Sequence, residues 1–194
     1  EYPAHIVHIE KRRVVVTLGE LLPTDVESPL RITLAQGISR GERMDYTLQK
    51  AVELGITTIV PLVTEHCVVE LKGERQEKRL EHWRGIITGA CEQCGRNKLP
   101  ELLPVMTLAA WLARPGEGAR LLLDHRAAGG INSLAAASSF TLLVGPEGGL
   151  SPHEQQQALL SGYQGVRLGP RVLRTETAAL VALAALQTRF GDLG

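Results

Sequence analysis

From Leu30 onward the chain alternates short apolar, β-branched runs with longer stretches of helical periodicity, and this alternation limits its fold more than any other feature. Leu30–Ala35 and Thr57–Val63 read as buried strands. Between them a helix over Met44–Leu54 places Met44, Leu48, Ala51 and Val52 on one face, and Gly55 supplies its stop. A second helix over Arg75–Gly95 keeps Leu80, Trp83, Ile87, Ala90 and Cys91 on one side. Further strands are expected at Leu99–Val105, Arg120–Leu123, Thr141–Val144 and Val166–Leu168, with helices at Leu108–Ala113 and Pro152–Leu160. The start of the latter carries strong local signals: Ser151 as N-cap, Pro152 as first helical residue and Glu154 as the capping-box partner. The last helix, Glu176–Phe190, holds nine consecutive apolar residues from Ala178 to Leu186, so it is buried on every side, one of which a second chain can supply. Strand–helix alternation over this length predicts an α/β domain with a mostly parallel sheet.

The segment before it reads differently. Ala4–Leu18 alternates as two strands joined at a charged turn, and Glu27-Ser28-Pro29 ends the region. A lone hairpin is marginal in water, so residues 1–27 are expected to be the C-terminal part of a small β domain, with 28–194 forming the α/β domain. The 194 residues are 44% hydrophobic with 21 basic and 21 acidic side chains, which excludes a disordered chain and a uniformly basic coat for nucleic acid. No apolar run approaches the ~20 residues of a membrane helix, and no signal peptide opens the sequence. Three cysteines, Cys67, Cys91 and Cys94, are too sparse for a disulfide framework and point to a reducing cytosol. Cys91 and Cys94 are expected to be thiols on the apolar face of a helix, with no metal bound. The charged run Lys72–Arg84, with Glu74 spaced to pair with Lys78, reads as a solvated helix face. His66, His82, His125 and His153 have neither nucleophile nor metal spacing.

Two segments carry the chemistry. In Leu142-Leu143-Val144-Gly145-Pro146-Glu147-Gly148-Gly149-Leu150 an apolar strand runs into a turn with three glycines and one acid, where a ligand can approach the main chain closely. Such loops lie at the carboxyl ends of strands, where open α/β sheets bind ligands. Glu147 would repel a phosphate, and neither a dinucleotide fingerprint nor a phosphate loop is present, so the loop suits a ligand neutral or cationic at the contact point. An ordinary strand–helix turn is the simpler alternative. The second segment, Leu168-Gly169-Pro170-Arg171-Val172-Leu173-Arg174-Thr175-Glu176-Thr177, repeats strand, Gly-Pro turn and helix start. Arg167, Arg171 and Arg174 fall within eight residues free of acids, a local patch suited to phosphate or nucleic acid. Surface arginines balanced by Glu176 are the alternative there.

These two segments in this order resemble the ribosomal RNA small subunit methyltransferase E family. Ser39-Arg40-Gly41-Glu42-Arg43-Met44, Gln49–Gly55, Ala90-Cys91-Glu92-Gln93-Cys94-Gly95-Arg96 and Leu186–Leu193 agree with it, so that the resemblance spans about Ser28 to the C-terminus. It implies a SPOUT-type knotted methyltransferase domain that forms a homodimer in the cytoplasm, preceded by a PUA-like RNA-binding β-barrel of which residues 1–27 match the end. It also implies transfer of a methyl group from S-adenosyl-L-methionine to N3 of a uridine in 16S rRNA of the small ribosomal subunit. Leu143, Gly145, Glu147, Gly148, Gly149, Leu168, Gly169, Leu173 and Thr175 would then hold the cofactor. Arg174 is the first candidate for orienting the uracil or stabilising its anion, and Glu147 a candidate base. Arg40, Arg43, Arg96 and Arg171 would contact RNA. An RNA-binding or assembly module without catalysis, and an α/β enzyme acting on a phosphorylated small molecule, are the competing readings.

Overall fold

The computed structural model describes residues 1–67 and 73–194. Strands β1 (Ala4–Glu10) and β2 (Arg13–Leu18) pair only with each other, antiparallel, with a register shift between Ile6 and His8. Ile6, Ile9, Val14 and Leu18 are exposed, so the hairpin buries no core of its own.

The rest is one sheet flanked by helices. In chain order it comprises β3 (Arg31–Gly37), α1 (Glu42–Glu53), β4 (Thr58–Val63), α2 (Glu74–Cys94), β5 (Glu101–Leu102), β6 (Met106–Thr107), α3 (Leu108–Leu112), β7 (Ala119–Leu123), β8 (Ser139–Val144), α4 (Pro152–Leu160), β9 (Gln164–Val166) and α5 (Thr175–Phe190). The strands run parallel in the order β5-β4-β3-β8-β7-β9, with β6 also paired to β4. β8 is inserted between β3 and β7, with Leu34 opposite Leu142 and Leu142 opposite Leu121.

Parallel strands are apolar on both faces because helices cover both. Ile32, Leu34, Ile59, Leu121, Phe140 and Leu142 face α1, α2 and α5, and Trp83 is fully buried there with its indole N–H donated to Asp45. Ala35, Val60, Leu122 and Leu143 face the short helices α3 and α4. Ser151 and Glu154 form the capping box with Pro152 in the first turn. Glu74 pairs with Lys78 at 2.7 Å on the exposed side of α2, whereas Lys72 lies outside the described residues. Cys91 is buried and Cys94 half-buried, both free thiols.

Two boundaries differ from expectation. Leu99–Val105 is not one strand but the two-residue β5 followed by β6, because Pro104 removes a ladder donor between them. β9 stops at Val166, and beyond it Arg167 makes only an isolated bridge to Gly130 before Gly169 turns the chain at φ 74°.

Candidate active site at the carboxyl ends of the strands

β8 delivers the glycine-rich loop to the carboxyl edge of the sheet. Gly145 cannot carry a side chain: a Cβ would stand 2.8 Å from the Leu150 nitrogen and 2.9 Å from the Gly149 carbonyl carbon. Gly149 takes φ 69°, a conformation that side chains disfavour. The loop is tied to the start of α5, where the Thr175 hydroxyl donates to the Gly145 carbonyl at 2.6 Å. Beneath both, the buried Gln36 at the end of β3 donates through Nε2 to Thr175 Oγ1 at 3.0 Å and to the Gly145 carbonyl at 3.3 Å. The segment after β4 braces the other side. Glu154 accepts from the Glu65 amide at 2.8 Å and from the Ser151 amide at 3.0 Å, and His66 Nδ1 lies 3.0 Å from the Gly148 carbonyl.

A cavity of about 610 Å³ opens between the loop and the start of α5, a volume in the ordinary range for small-molecule sites. Gly145, Glu147, Gly148 and Gly149 line one side; Leu168, Arg171, Leu173, Arg174 and Thr175 line the other. The two glycine and arginine segments singled out in the sequence thus form opposite walls of one cavity. Leu143 is not a wall: alternation along β8 turns it into the α3–α4 core, and Val144 lines the cavity instead. Gly169 likewise sits outside the lining and serves the turn after β9.

Glu147 is the acid of the site. Its Oε1 accepts from the Arg40 amide at 2.9 Å and from Arg43 Nη1 at 2.8 Å. Partial burial pushes its pKa up, but the Arg40 and Glu147 amides and the Arg43 guanidinium outweigh burial and hold the carboxyl below its ordinary value. It is therefore ionised at neutral pH, and the lowered pKa together with an oxygen spent on structure makes it a weak general base. Arg43 also lies 3.9 Å from Glu176, so it faces both acids while its side chain stays 43% exposed. Arg174 is the N-cap residue of α5, exposed, and its guanidinium has no partner among the described residues. Arg171 and Arg40 are exposed as well.

Arg96, expected at an RNA surface, is buried elsewhere. Its side chain is 6% exposed and its nitrogens bond Glu27 and the carbonyls of Val52 and Ile56, leaving no face for RNA. The sequence reading missed a further stretch of wall, Asp124-His125-Arg126 at the end of β7, together with Gln155. Burial pushes the Asp124 carboxyl up, but the Arg126 amide and guanidinium prevail and lower it. The only signal for this stretch was its position after a strand, and its charges resemble those of any surface turn. Among the described residues no cluster of three or more potential metal ligands occurs.

A parallel α/β sheet whose carboxyl-end loops enclose a cavity, with Arg171 and Arg174 exposed in its wall, defines a small-molecule-binding domain. The family model described as an RNA methyltransferase domain matches residues 26–187. The chain belongs to the ribosomal RNA small subunit methyltransferase E family. It is 38% identical over 192 residues to the Buchnera aphidicola subsp. Schizaphis graminum member, an alignment covering 98% of this chain and 78% of the relative. With the Bacillus subtilis member it shares 30% identity over 198 residues, covering 96% of this chain and 77% of the relative. It also superimposes, with TM-score 0.92 and 44% identity, on a ribosomal RNA small subunit methyltransferase E from Neisseria gonorrhoeae solved bound to S-adenosyl methionine, covering 98% of this chain and 79% of that one.

Proposed function

We propose that this chain is an S-adenosylmethionine-dependent methyltransferase acting on N3 of a uridine in 16S rRNA of the small ribosomal subunit. The observation that carries this reading is the cavity that joins the Gly145–Leu150 loop to the Leu168–Thr175 segment, in a member of this family. The cavity fits the cofactor chemically: the backbone of Gly145, Gly148 and Gly149 is open to close approach, and Leu168 and Leu173 offer apolar walls. The ionised Glu147 suits a ligand that carries positive charge.

When bound, S-adenosylmethionine supplies a methyl group on a positively charged sulfur. The chain's own part is to hold the reactants in line and to stabilise the uracil as N3 loses its proton. Gly145, Gly148, Gly149, Leu168, Leu173 and Thr175 hold the cofactor. Arg174, partnerless at the mouth, orients the uracil and stabilises negative charge on its oxygens. Glu147 acts electrostatically. Arg40 and Arg171 contact RNA phosphates, whereas Arg43 holds Glu147.

Residues 1–27 belong in this reading to a PUA-like RNA-binding β fold, and 28–194 to a SPOUT domain with a C-terminal trefoil knot. Support for the knot is the insertion of β8 between β3 and β7, followed by the return of α5 to Gly145 and Gln36 at the centre of the sheet. The apolar α5, with Val181 partly exposed, supports a homodimer, and the unbridged thiols of Cys91 and Cys94 support a cytoplasmic setting. The test is calorimetric titration with S-adenosylmethionine, followed by methylation of small ribosomal subunits. One site per chain and methyl incorporation are expected. A folded protein that binds no cofactor would return the chain to an RNA-binding module. Within the reading, Arg174→Ala should lower turnover by about 100-fold or more with cofactor affinity within a few-fold. Unchanged turnover would remove Arg174 from the mechanism.

A further inference from the structure

The opposite, amino edge of the sheet carries a second groove, of about 250 Å³. Its floor is a transverse row of polar side chains on adjacent strands: Thr58 opposite Thr33, Thr33 opposite Thr141, and Thr141 opposite Arg120. Two residues further along the same face, the equivalent row is Val60, Ala35, Leu143 and Leu122, buried under α3 and α4. The helices are five and nine residues long and cover only the carboxyl half of the face. The uncovered half carries hydroxyl and guanidinium groups beside Trp111 and Tyr163.

The threonine hydroxyls are unspent. The hydroxyls of Thr33, Thr58 and Thr141 make no hydrogen bond among the described residues, and Thr141 is more than nine-tenths buried. Tyr163, 5% exposed, accepts from Trp111 Nε1 at 2.8 Å, and its own O–H proton has no acceptor among the described residues. None of the three threonine hydroxyls is sealed from solvent, so each is open to a ligand oxygen in the groove. Arg31 and Arg114 add charge at the rim. Arg120 is spent on the carbonyls of Ser161 and Arg114, and the lone acid, Glu117, is exposed and 3.8 Å from Arg31, a pair of little energetic weight. Convergent hydroxyl and guanidinium donors are what phosphate oxygens take from proteins.

We propose that this groove docks phosphodiester groups of the RNA substrate remote from the methyl-transfer site. β8 runs between the two, from Ser139 to Val144, so at ~3.3 Å per residue the groove lies ~10 to ~17 Å from the cavity. A folded ribosomal RNA presents phosphates on that scale, and a remote contact sets the register of the enzyme on the subunit. The RNA identity of the ligand rests on the function proposed above; the anion chemistry of the groove does not.

The test uses the full chain with Arg31→Glu and, separately, Thr141→Val, small ribosomal subunits lacking the modification, and S-adenosylmethionine binding as the control for folding. Arg31→Glu should raise KM for subunits about 10-fold and lower the slope of log affinity against log salt by about 1, with kcat and cofactor affinity unchanged. Thr141→Val should raise KM several-fold without altering the salt slope. Unchanged KM in both variants overturns the proposal. So does tight binding of adenosine monophosphate or inorganic phosphate in the groove with subunit KM unaffected, which would assign it to a free ligand. If the wild-type chain binds no S-adenosylmethionine, the methyltransferase reading fails. The groove is then judged by direct binding of subunits to Arg31→Glu against wild type, where equal affinity overturns it.

Discussion

Arg96 and Glu27 form the pair on which a quantitative test of the fold can rest. Their side chains are 6% and 12% exposed, with Arg96 Nη2 2.6 Å and Nε 3.1 Å from Glu27 Oε2. Nη1 donates to the carbonyls of Val52 and Ile56 at 3.0 and 2.9 Å, and the Lys98 amide donates to Glu27 Oε1 at 3.2 Å. One guanidinium thus ties the segment before β3 to the end of α1, to the turn into β4 and to the loop that follows α2. Arg96→Met keeps the stem but strands a buried carboxylate and removes the donor of two carbonyls. Breaking one side of a buried ion pair costs about 3–5 kcal/mol, which for a chain of this size lowers Tm by roughly 10 °C. Glu27→Gln keeps the shape and removes only the charge, so about 1.5–3 kcal/mol is expected.

The pH dependence makes this specific. Burial pushes the Glu27 carboxyl up, but the Arg96 hydrogen bonds and charge and the Lys98 amide outweigh it, and the net pKa lies below the ordinary 4.5. A carboxyl depressed on folding stabilises the native state at pH values above its unfolded pKa, and that contribution is lost as pH falls through the folded one. Urea unfolding of wild type and Glu27→Gln, followed by circular dichroism, should therefore show a gap that is constant from pH 8 to 6 and closes in acid below the ordinary carboxylate range. A gap within ~0.5 kcal/mol at pH 7, the size of a neutral surface change, or one indifferent to acid, refutes the argument.

Two further outcomes concern the cavity. Gly145→Ala forces a Cβ against the Leu150 nitrogen and the Gly149 carbonyl carbon, both backbone atoms, so S-adenosylmethionine affinity in calorimetry should fall by at least ~10-fold; Gly148→Ala meets the His66 Cβ at 2.9 Å, an atom held by its backbone, and should weaken affinity as well. Because Glu147 is held ionised, cofactor affinity should stay flat from pH 6 to 8 and weaken only in acid, and an inflection near neutrality would remove Glu147 as the acid that matters.

The fold was legible where local physics decides it. The capping signals at Ser151 and Glu154, the stop at Gly55 and the β-branched run into β4 act within a few residues, and each element formed close to its expected place. Strand order was not legible, because the insertion of β8 between β3 and β7 depends on which apolar faces meet. The site followed the same division. The glycine loop declared itself through residues that only a close approach of backbone requires. Leu143 and Val144 differ by one step of a two-residue period, and a one-step error turns a wall into a core residue. Arg96 looked like any other arginine because what buries it, Glu27, is 69 positions away in sequence.

Gln36 shows how the cavity is held together. Its Nε2 bonds three oxygens, the carbonyls of Gly37 and Gly145 and the hydroxyl of Thr175, while its Oε1 is buried with no partner among the described residues. An orphaned buried oxygen costs about 1–3 kcal/mol, and an apolar residue would avoid that cost in a site only 1% exposed. Such a residue would also release the Gly145 carbonyl and Thr175 from β3. The amide therefore makes sense as a brace that fixes the glycine loop against the start of α5 before any ligand arrives. Walls fixed in advance need no ordering on binding, which is where a methyl-transfer site gains its alignment.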